Sequence, residues 1–230
     1  GAPSRPEFVV ATLPNGLRWV HQPTASPTGH IGLHLKAGSR DETREDEGLA
    51  HFTEHLIFKG TARRKAFHVL SRLEGVGGEL NAYTGKEDTL LYASFMVEHY
   101  RRAMDLLFDI VKHASIPERE VPKEREVILD EMDGYKDNPS EALFDEFDAL
   151  LYPDHPLGMN ILGRRDTVSR FERADVLRFI GALYRPEHAV QEQAVDGGGA
   201  AGLAEALGHD AVQRDAELGV WTSGSAAIGL

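Results

Sequence analysis

The residues best placed to do chemistry lie in Gly48-Leu49-Ala50-His51-Phe52-Thr53-Glu54-His55-Leu56-Ile57-Phe58. His51 and His55 stand four apart, with Glu54 between them. On an α-helix, positions i, i+3 and i+4 are neighbours on one face. The two imidazoles and the carboxylate therefore converge, while Leu49, Phe52, Leu56 and Ile57 are free to pack inward. Two imidazoles at this spacing can grip one metal ion from a single rigid element, and a carboxylate beside them can take a proton from water. The bland alternative is a solvated or packed pair of helical histidines with no metal. Hydrolytic chemistry would need a third ligand and a groove for substrate.

A third ligand has to come from another element, and a histidine or carboxylate on a facing helix would suit. The stretch Lys123-Glu124-Arg125-Glu126-Val127-Ile128-Leu129-Asp130-Glu131-Met132 offers Glu124 and Glu131, two helical turns apart on one face with Ile128 between them. Acidic residues favour a helix N-terminus. That accounts for Glu124 and Glu126 without any function, but not for Glu131 further along.

The elements that must carry these groups follow from pattern. Glu7–Leu13 and Leu17–His21 read as two strands joined at Pro14-Asn15-Gly16, an Asn-Gly hairpin signal. Gln22–Gly29 reads as loop. His30–Lys36 reads as a third strand with Ile31, Leu33 and Leu35 on one face and His30 and His34 on the other. Gly38–Thr43 is a polar loop leading into the histidine helix. A helix over about 64–74 is expected to bury Phe67, Leu70 and Leu73 and to leave His68 at the surface. Glu79–Thr84 and Thr89–Phe95 read as strand, turn, strand. Helices follow over 97–113, burying Tyr100, Met104, Leu107, Ile110 and Val111; over 122–135, opened by Pro122; over 140–151, burying Leu143, Phe144, Phe147 and Leu151; and over about 166–184. Residues 152–163 read as irregular. Ala189–Val195 reads as a strand, though Gln191, Glu192 and Gln193 make it a poor core strand. Ala200–Leu207 could form a short helix, and 208–230 shows little organisation.

Bulk properties bound the function. The 230 residues, 41% hydrophobic and 27% charged, are ordinary globular material. A net charge of −12, from 25 basic and 37 acidic residues, argues against nucleic acid, whose phosphates require a basic face. The absence of cysteine excludes disulfides and thiolate zinc sites, so any zinc must be held by histidine and carboxylate. No apolar run approaches the length of a membrane span, and no secretory signal is visible. No membrane partner is expected. The start at Gly1-Ala2-Pro3-Ser4 suggests a processed or trimmed N-terminus. The compartment is left open, with a bacterial cytoplasm or periplasm favoured over an organelle.

Four blocks, in order, carry a resemblance. They are Gly48–Thr61 with its His-x-x-Glu-His order, Gly78-Glu79-Leu80-Asn81-Ala82-Tyr83-Thr84, Glu124–Glu131, and His155-Pro156-Leu157-Gly158. Over roughly Gly16 to Arg185 the chain resembles the N-terminal catalytic domain of pitrilysin/insulinase-type metallopeptidases, in particular the branch of the mitochondrial processing peptidases. The resemblance implies an α+β fold, a mostly antiparallel, mixed β-sheet covered by helices on one face, in a processing-peptidase-like metallohydrolase domain. It implies one Zn2+ per chain held by His51, His55 and Glu131, the last lying 80 residues after His51 (131 − 51). Glu54 would be the general base and Glu124 a supporting acidic residue outside the ligand set. Asn81 and Ala82 would lie on the edge strand that receives substrate.

The function implied is a zinc endopeptidase acting on extended peptides or unfolded segments. The runner-up is a peptide-binding or scaffolding subunit, poorly active without a partner. Residues 1–188 are expected to form the metallopeptidase domain, with 189–230 completing or trailing it. The family's second domain, which supplies a substrate-binding Arg-Tyr pair, is expected to be lacking. A second similar domain or subunit, in a homo- or hetero-oligomer, is therefore the expected partner beside the peptide substrate.

Overall fold

Asn15 and Gly16 make the first turn. Gly16 sits at φ +90°, its N–H donates to the Leu13 carbonyl at 2.9 Å, and the Asn15 side-chain oxygen accepts from Leu17 N–H at 3.1 Å. The turn joins β1 (Val9–Thr12) to β2 (Arg18–Pro23) as an antiparallel pair with Val10 opposite Val20. The computed structural model describes residues 8–136 and 139–195 of the chain. The expectations for 200–207 and 208–230 lie outside the described residues.

A second hairpin, β4 (Glu79–Thr84) and β5 (Thr89–Met96), pairs through β5 with β3 (Thr28–Leu35). The last strand, β6 (Ala189–Val195), enters between the two hairpins. It runs parallel to β2 and antiparallel to β3, which gives a six-stranded mixed sheet of order β1-β2-β6-β3-β5-β4. One face of that sheet builds the core. Ile31, Leu33, Leu35, Leu91, Ala93 and Phe95 are buried there, while His30, Tyr92 and Glu192, alternating with them, are exposed.

The helices supply the other half of the core. They are α1 (Leu49–Ile57), α2 (Ala66–Glu74), α3 (Tyr100–His113), α4 (Val121–Lys136), α5 (Pro139–Leu151), α6 (Arg165–Val168) and α7 (Arg173–Leu183). Leu49, Phe52, Leu56 and Ile57 of α1 are wholly buried, as are Leu106, Leu107 and Ile110 of α3 and Ile128 of α4. The sequence-based fold class is therefore the observed one. Among the described residues no helix is long and apolar enough to cross a membrane.

Four details differ from the sequence reading. In α2 the buried residues are Val69 and Leu73, whereas Phe67 and Leu70 are exposed, because the helix starts at Ala66 and turns a narrower stripe inward. In α5 Leu143, Phe144, Phe147 and Leu151 are all exposed rather than buried. The helix expected over 97–113 starts at Tyr100, preceded by a 3-10 turn at Val97–His99, and Met104 is only half-buried. The helix expected over 166–184 breaks in two. Phe171 turns into the core, 5.5 Å from the Phe52 ring, and the Glu172 N–H bonds the Asp175 carboxylate to start α7 afresh.

The poor core strand is in fact an interior one. Gln191 and Gln193 are 2% and 4% exposed. Their amides are satisfied by local polar partners: Gln193 takes a hydrogen bond from the Tyr100 hydroxyl, contacts His21 Nδ1 at 3.2 Å, and accepts from Gln191 Nε2 at 3.2 Å. A buried amide is tolerable once it is bonded, and hydropathy alone cannot reveal these partners.

Candidate metal centre

The chemistry-bearing helix begins at Gly48, which sits at φ +97°. Gly163, at φ +80°, faces it: a Cβ on Gly48 would lie 2.8 Å from the Gly163 Cα and from the Leu162 carbonyl. Only glycine allows both the left-handed turn and this approach. The contact brings the loop through Asn160–Leu162 against the start of α1. The buried Glu47 reinforces it, accepting from Asn160 N–H at 3.3 Å and pairing with Arg164 at 2.9 Å.

From there α1 presents His51, Glu54 and His55 toward one cleft, as the i, i+3, i+4 spacing requires. Helix α4 lies alongside and places Glu131 opposite. The Glu131 Oε2 lies 3.8 Å from His51 Nε2 and 3.7 Å from His55 Nε2, and the three potential ligand atoms all fall within 4.8 Å of one another. These separations are too long for hydrogen bonds. A tetrahedral zinc with bonds of about 2.0–2.2 Å sets its ligand atoms roughly 3.4 Å apart. The two His–Glu131 separations lie within a few tenths of an ångström of that spacing, and the donor set of two imidazoles and a carboxylate suits zinc.

The remaining groups orient this set. Glu124 is buried on α4, one helical turn before Ile128. Its Oε2 lies 3.2 Å from His55 Nδ1, and its Oε1 lies 2.7 Å from Lys59 Nζ. A carboxylate only accepts, so the contact places a proton on His55 Nδ1 and turns Nε2, the nitrogen able to ligate, toward the cleft. His51 is more deeply buried, and its Nδ1 makes no hydrogen bond among the described residues. Burial, helped by the neighbouring His55, lowers its pKa to about 3, so it is a neutral imidazole, the ligating form. Burial raises the Glu54 carboxyl above its ordinary value. A hydrogen bond from the Thr84 hydroxyl at 2.6 Å and the nearby His55 oppose the rise, and Glu131 adds to it.

Strand β4 forms one wall of the cleft. Among the described residues it pairs only with β5, and its other edge is free of them. Ala82, Tyr83 and Thr84 line the cleft from this side; Asn160, Ile161 and Leu162 line it from the other, with Tyr135 and Asp145. The Asp145 carboxylate accepts from Tyr135 Oη at 2.8 Å and Asn160 Nδ2 at 2.7 Å. Of the two β4 residues expected at the site, Ala82 lies in it. Asn81 does not line it: its register partner is Tyr92 on the far face of the sheet, and its amide bonds Glu79 at 2.6 Å.

Three residues here escaped the sequence reading. Thr84 lies in the Gly78–Thr84 block, but nothing in the sequence sets it apart from its neighbours. Lys59 stands four after His55, a spacing that could have suggested a shared partner. Glu42, in the polar loop before α1, accepts from the Gly48 and Ala50 N–H groups, and the missing N-terminal cap of that helix is the signal for it.

Comparison with known proteins decides the family. Residues 19–165 match the family described as insulinase, peptidase family M16. The chain belongs to the insulinase family. Curated relatives of this insulinase-family chain include the mitochondrial-processing peptidase subunit beta of Caenorhabditis elegans, 36% identical over 212 residues, covering 92% of this chain and 44% of the relative. An uncharacterized zinc protease of Mycobacterium leprae is 40% identical over 181 residues, 78% of this chain and 40% of the relative. Among solved structures, a protease from Helicobacter pylori superposes with TM-score 0.85 at 24% identity, over 98% of this chain and 53% of that one, which speaks for the fold. The chain spans about half the length, or less, of the relatives it matches. Zinc proteases are among those relatives.

Proposed function

We propose that this chain is the catalytic domain of a zinc-dependent endopeptidase that hydrolyses peptide bonds in extended peptides or unfolded segments. One observation carries the reading. Three potential ligands, His51, His55 and Glu131, converge beside Glu54 in a cleft bounded by the free edge of β4. His51, His55 and Glu131 would hold one Zn2+. When bound, the ion supplies Lewis acidity to a water and to the scissile carbonyl.

The protein's own groups do the rest. Glu54 accepts the proton of the attacking water and hands it to the leaving amine, a role suited to a carboxyl that burial holds above its ordinary value. Thr84 holds the Glu54 carboxylate in place through its 2.6 Å hydrogen bond. Glu124 holds the His55 ring. The unpaired edge of β4 adds the substrate as a further strand, main-chain bonds giving affinity and the opposite wall giving selectivity. Ala82 lies beside that substrate, and Asn81 contributes through its backbone.

A second similar domain or subunit is the partner we propose, and a peptide-binding or scaffolding role without it is the second reading. The observation favouring that reading is that the cleft is open, and the chain covers 44% of the processing-peptidase relative. Residues 1–188 together with the strand at 189–195 would then form one domain of a larger assembly. The relatives include bacterial zinc proteases beside mitochondrial-processing peptidases, and the compartment we propose is a bacterial cytoplasm or periplasm. The deciding experiment is cleavage of an unstructured reporter peptide with and without a zinc chelator, alongside a solution mass measurement. Chelator-sensitive cleavage by the monomer supports the first reading. Peptide binding without cleavage until a partner is added supports the second.

A further inference from the structure

Helix α1 lacks the usual means of capping its own start. Its N-cap, Gly48, has no side chain, and no acidic residue lies in its first turn. Helices of this kind leave their first N–H groups without intrahelical partners, and here those groups are inside the protein. The partner comes from six and eight residues upstream in sequence. Glu42 Oε2 accepts from Gly48 N–H at 2.9 Å, and Oε1 accepts from Ala50 N–H at 2.7 Å, next to His51.

Glu42 is 4% exposed, and no Lys, Arg or His pairs with it among the described residues. Its acidic neighbours Glu47 and Asp46 make the position less favourable still, and burial pushes its carboxyl up to about 8 against the two backbone bonds. A buried carboxyl with no cationic partner is a poor choice for stability alone. What it does provide is a rigid two-point anchor for the first turn of the helix that carries His51, Glu54 and His55. Glu124 makes the corresponding anchor at the His55 turn.

We infer that Glu42 is a positioning residue: by seating both oxygens on the Gly48 and Ala50 N–H groups, it fixes where α1 holds His51 and Glu54 relative to Glu131. This inference rests on the metal-site reading above. Outer groups that orient metal ligands typically change metal affinity by about 10- to 100-fold when removed. Glu42→Gln keeps the side chain's shape but sets an amide N–H2 against one of the two backbone donors.

The test uses the full chain loaded with Co2+ and reads both its visible absorption spectrum and its affinity by competition with a chelator, with far-UV circular dichroism checking the fold. The variants are Glu42→Gln, Glu42→Asp and, as a control for general destabilisation, Asp109→Asn, which removes a buried carboxylate bonded to Thr61, Arg64 and His113 away from the cleft. Expected is a folded Glu42→Gln with an altered spectrum and Co2+ affinity weakened about 10-fold or more, and an Asp109→Asn whose spectrum and affinity match the parent. Should Glu42→Gln not fold, Glu42→Asp, which keeps the carboxylate but withdraws it by one methylene, is read in its place with the same expectation. A folded Glu42 variant with parental spectrum and affinity overturns the inference while leaving the metal site standing, as does an Asp109→Asn that shifts them equally. A parental chain that takes up no Co2+ removes the metal-site reading and this inference with it.

Discussion

Nδ1 of His55 lies 3.2 Å from Oε2 of Glu124, and this contact settles which nitrogen of His55 faces the cleft. Removing the acceptor frees the ring to rotate and to change tautomer, and leaves Lys59 without its 2.7 Å partner. Glu124→Ala, which removes both acceptor oxygens, is expected to weaken zinc binding by about 10- to 100-fold while the protein stays folded. Competition against a chelator of known affinity reads the effect. Unchanged affinity would show that the contact does not orient a ligand.

Glu54 is not one of the three converging ligands, yet it lines the same cleft. Glu54→Gln should therefore keep stoichiometric zinc and lose about 10²- to 10⁴-fold in peptide cleavage, the range general-base groups contribute. Zinc content by elemental analysis and cleavage rate are measured on one sample. A zinc-loaded variant that cleaves near the parental rate would take Glu54 out of the mechanism.

The Thr84 hydroxyl lowers the Glu54 pKa, opposing the rise that burial causes. Thr84→Val keeps the β-branched shape and removes the donor, so the Glu54 carboxyl moves further up. A general base works only when ionised, and the acid limb of the cleavage pH profile should move to higher pH while zinc content stays constant. An acid limb that does not move would show that the limb belongs to another group.

Glu42 supplies a stability prediction with a definite sign. Its carboxyl titrates at about 8 in the folded chain against 4.5 for the unconstrained group. Between those values the folded state holds a proton that the unfolded state has lost. The contribution of this group is therefore full below about pH 4.5 and is lost as pH rises through 8. Relative to Glu42→Gln, which does not titrate, the parent should lose on the order of a few kcal/mol between pH 5 and 8.5. Denaturant unfolding of both proteins at the two pH values, in chelator, gives the difference; a pH-independent gap between them contradicts it.

The apolar side chains of α5 make a prediction from their exposure. Phe144 and Phe147 are 72% and 56% exposed. Truncating a core phenylalanine costs about 3–5 kcal/mol, whereas surface changes usually stay within about 0.5 kcal/mol. Phe144→Ser and Phe147→Ser should fall in the second class in denaturant melts of this chain. A loss of several kcal/mol would return these residues to a core.

What was readable in the sequence is what depends on near neighbours. The Asn15-Gly16 hairpin needs two residues, and the convergence of His51, Glu54 and His55 needs one turn of helix. Period alone places Ile31, Leu33 and Leu35 on the buried face of β3. The failures are of two kinds. An apolar stripe says that a helix has a face, not that anything covers it, so α5 looked like a core helix. Polarity says that a strand is unsuited to a core only if its amides go unpaired, and Tyr100 and His21, far away in sequence, pair those of β6. Thr84 and Glu42 were obscure for the same reason: each acts on α1 across a gap that only the tertiary fold closes.

The position of β6 also bears on the order in which the protein can be made. The strand entering between β2 and β3 is the last described element of the chain. During synthesis, the β1-β2 hairpin and the β3-β5-β4 block must each wait with an unpaired edge until residue 195 emerges. Such edges invite pairing with other nascent chains, and the pairing they wait for spans about 160 residues of sequence, which slows closure. A ribosome that stalls before Ala189 would release two sheet fragments with all the groups of the metal centre already translated and no seam to hold them in one body.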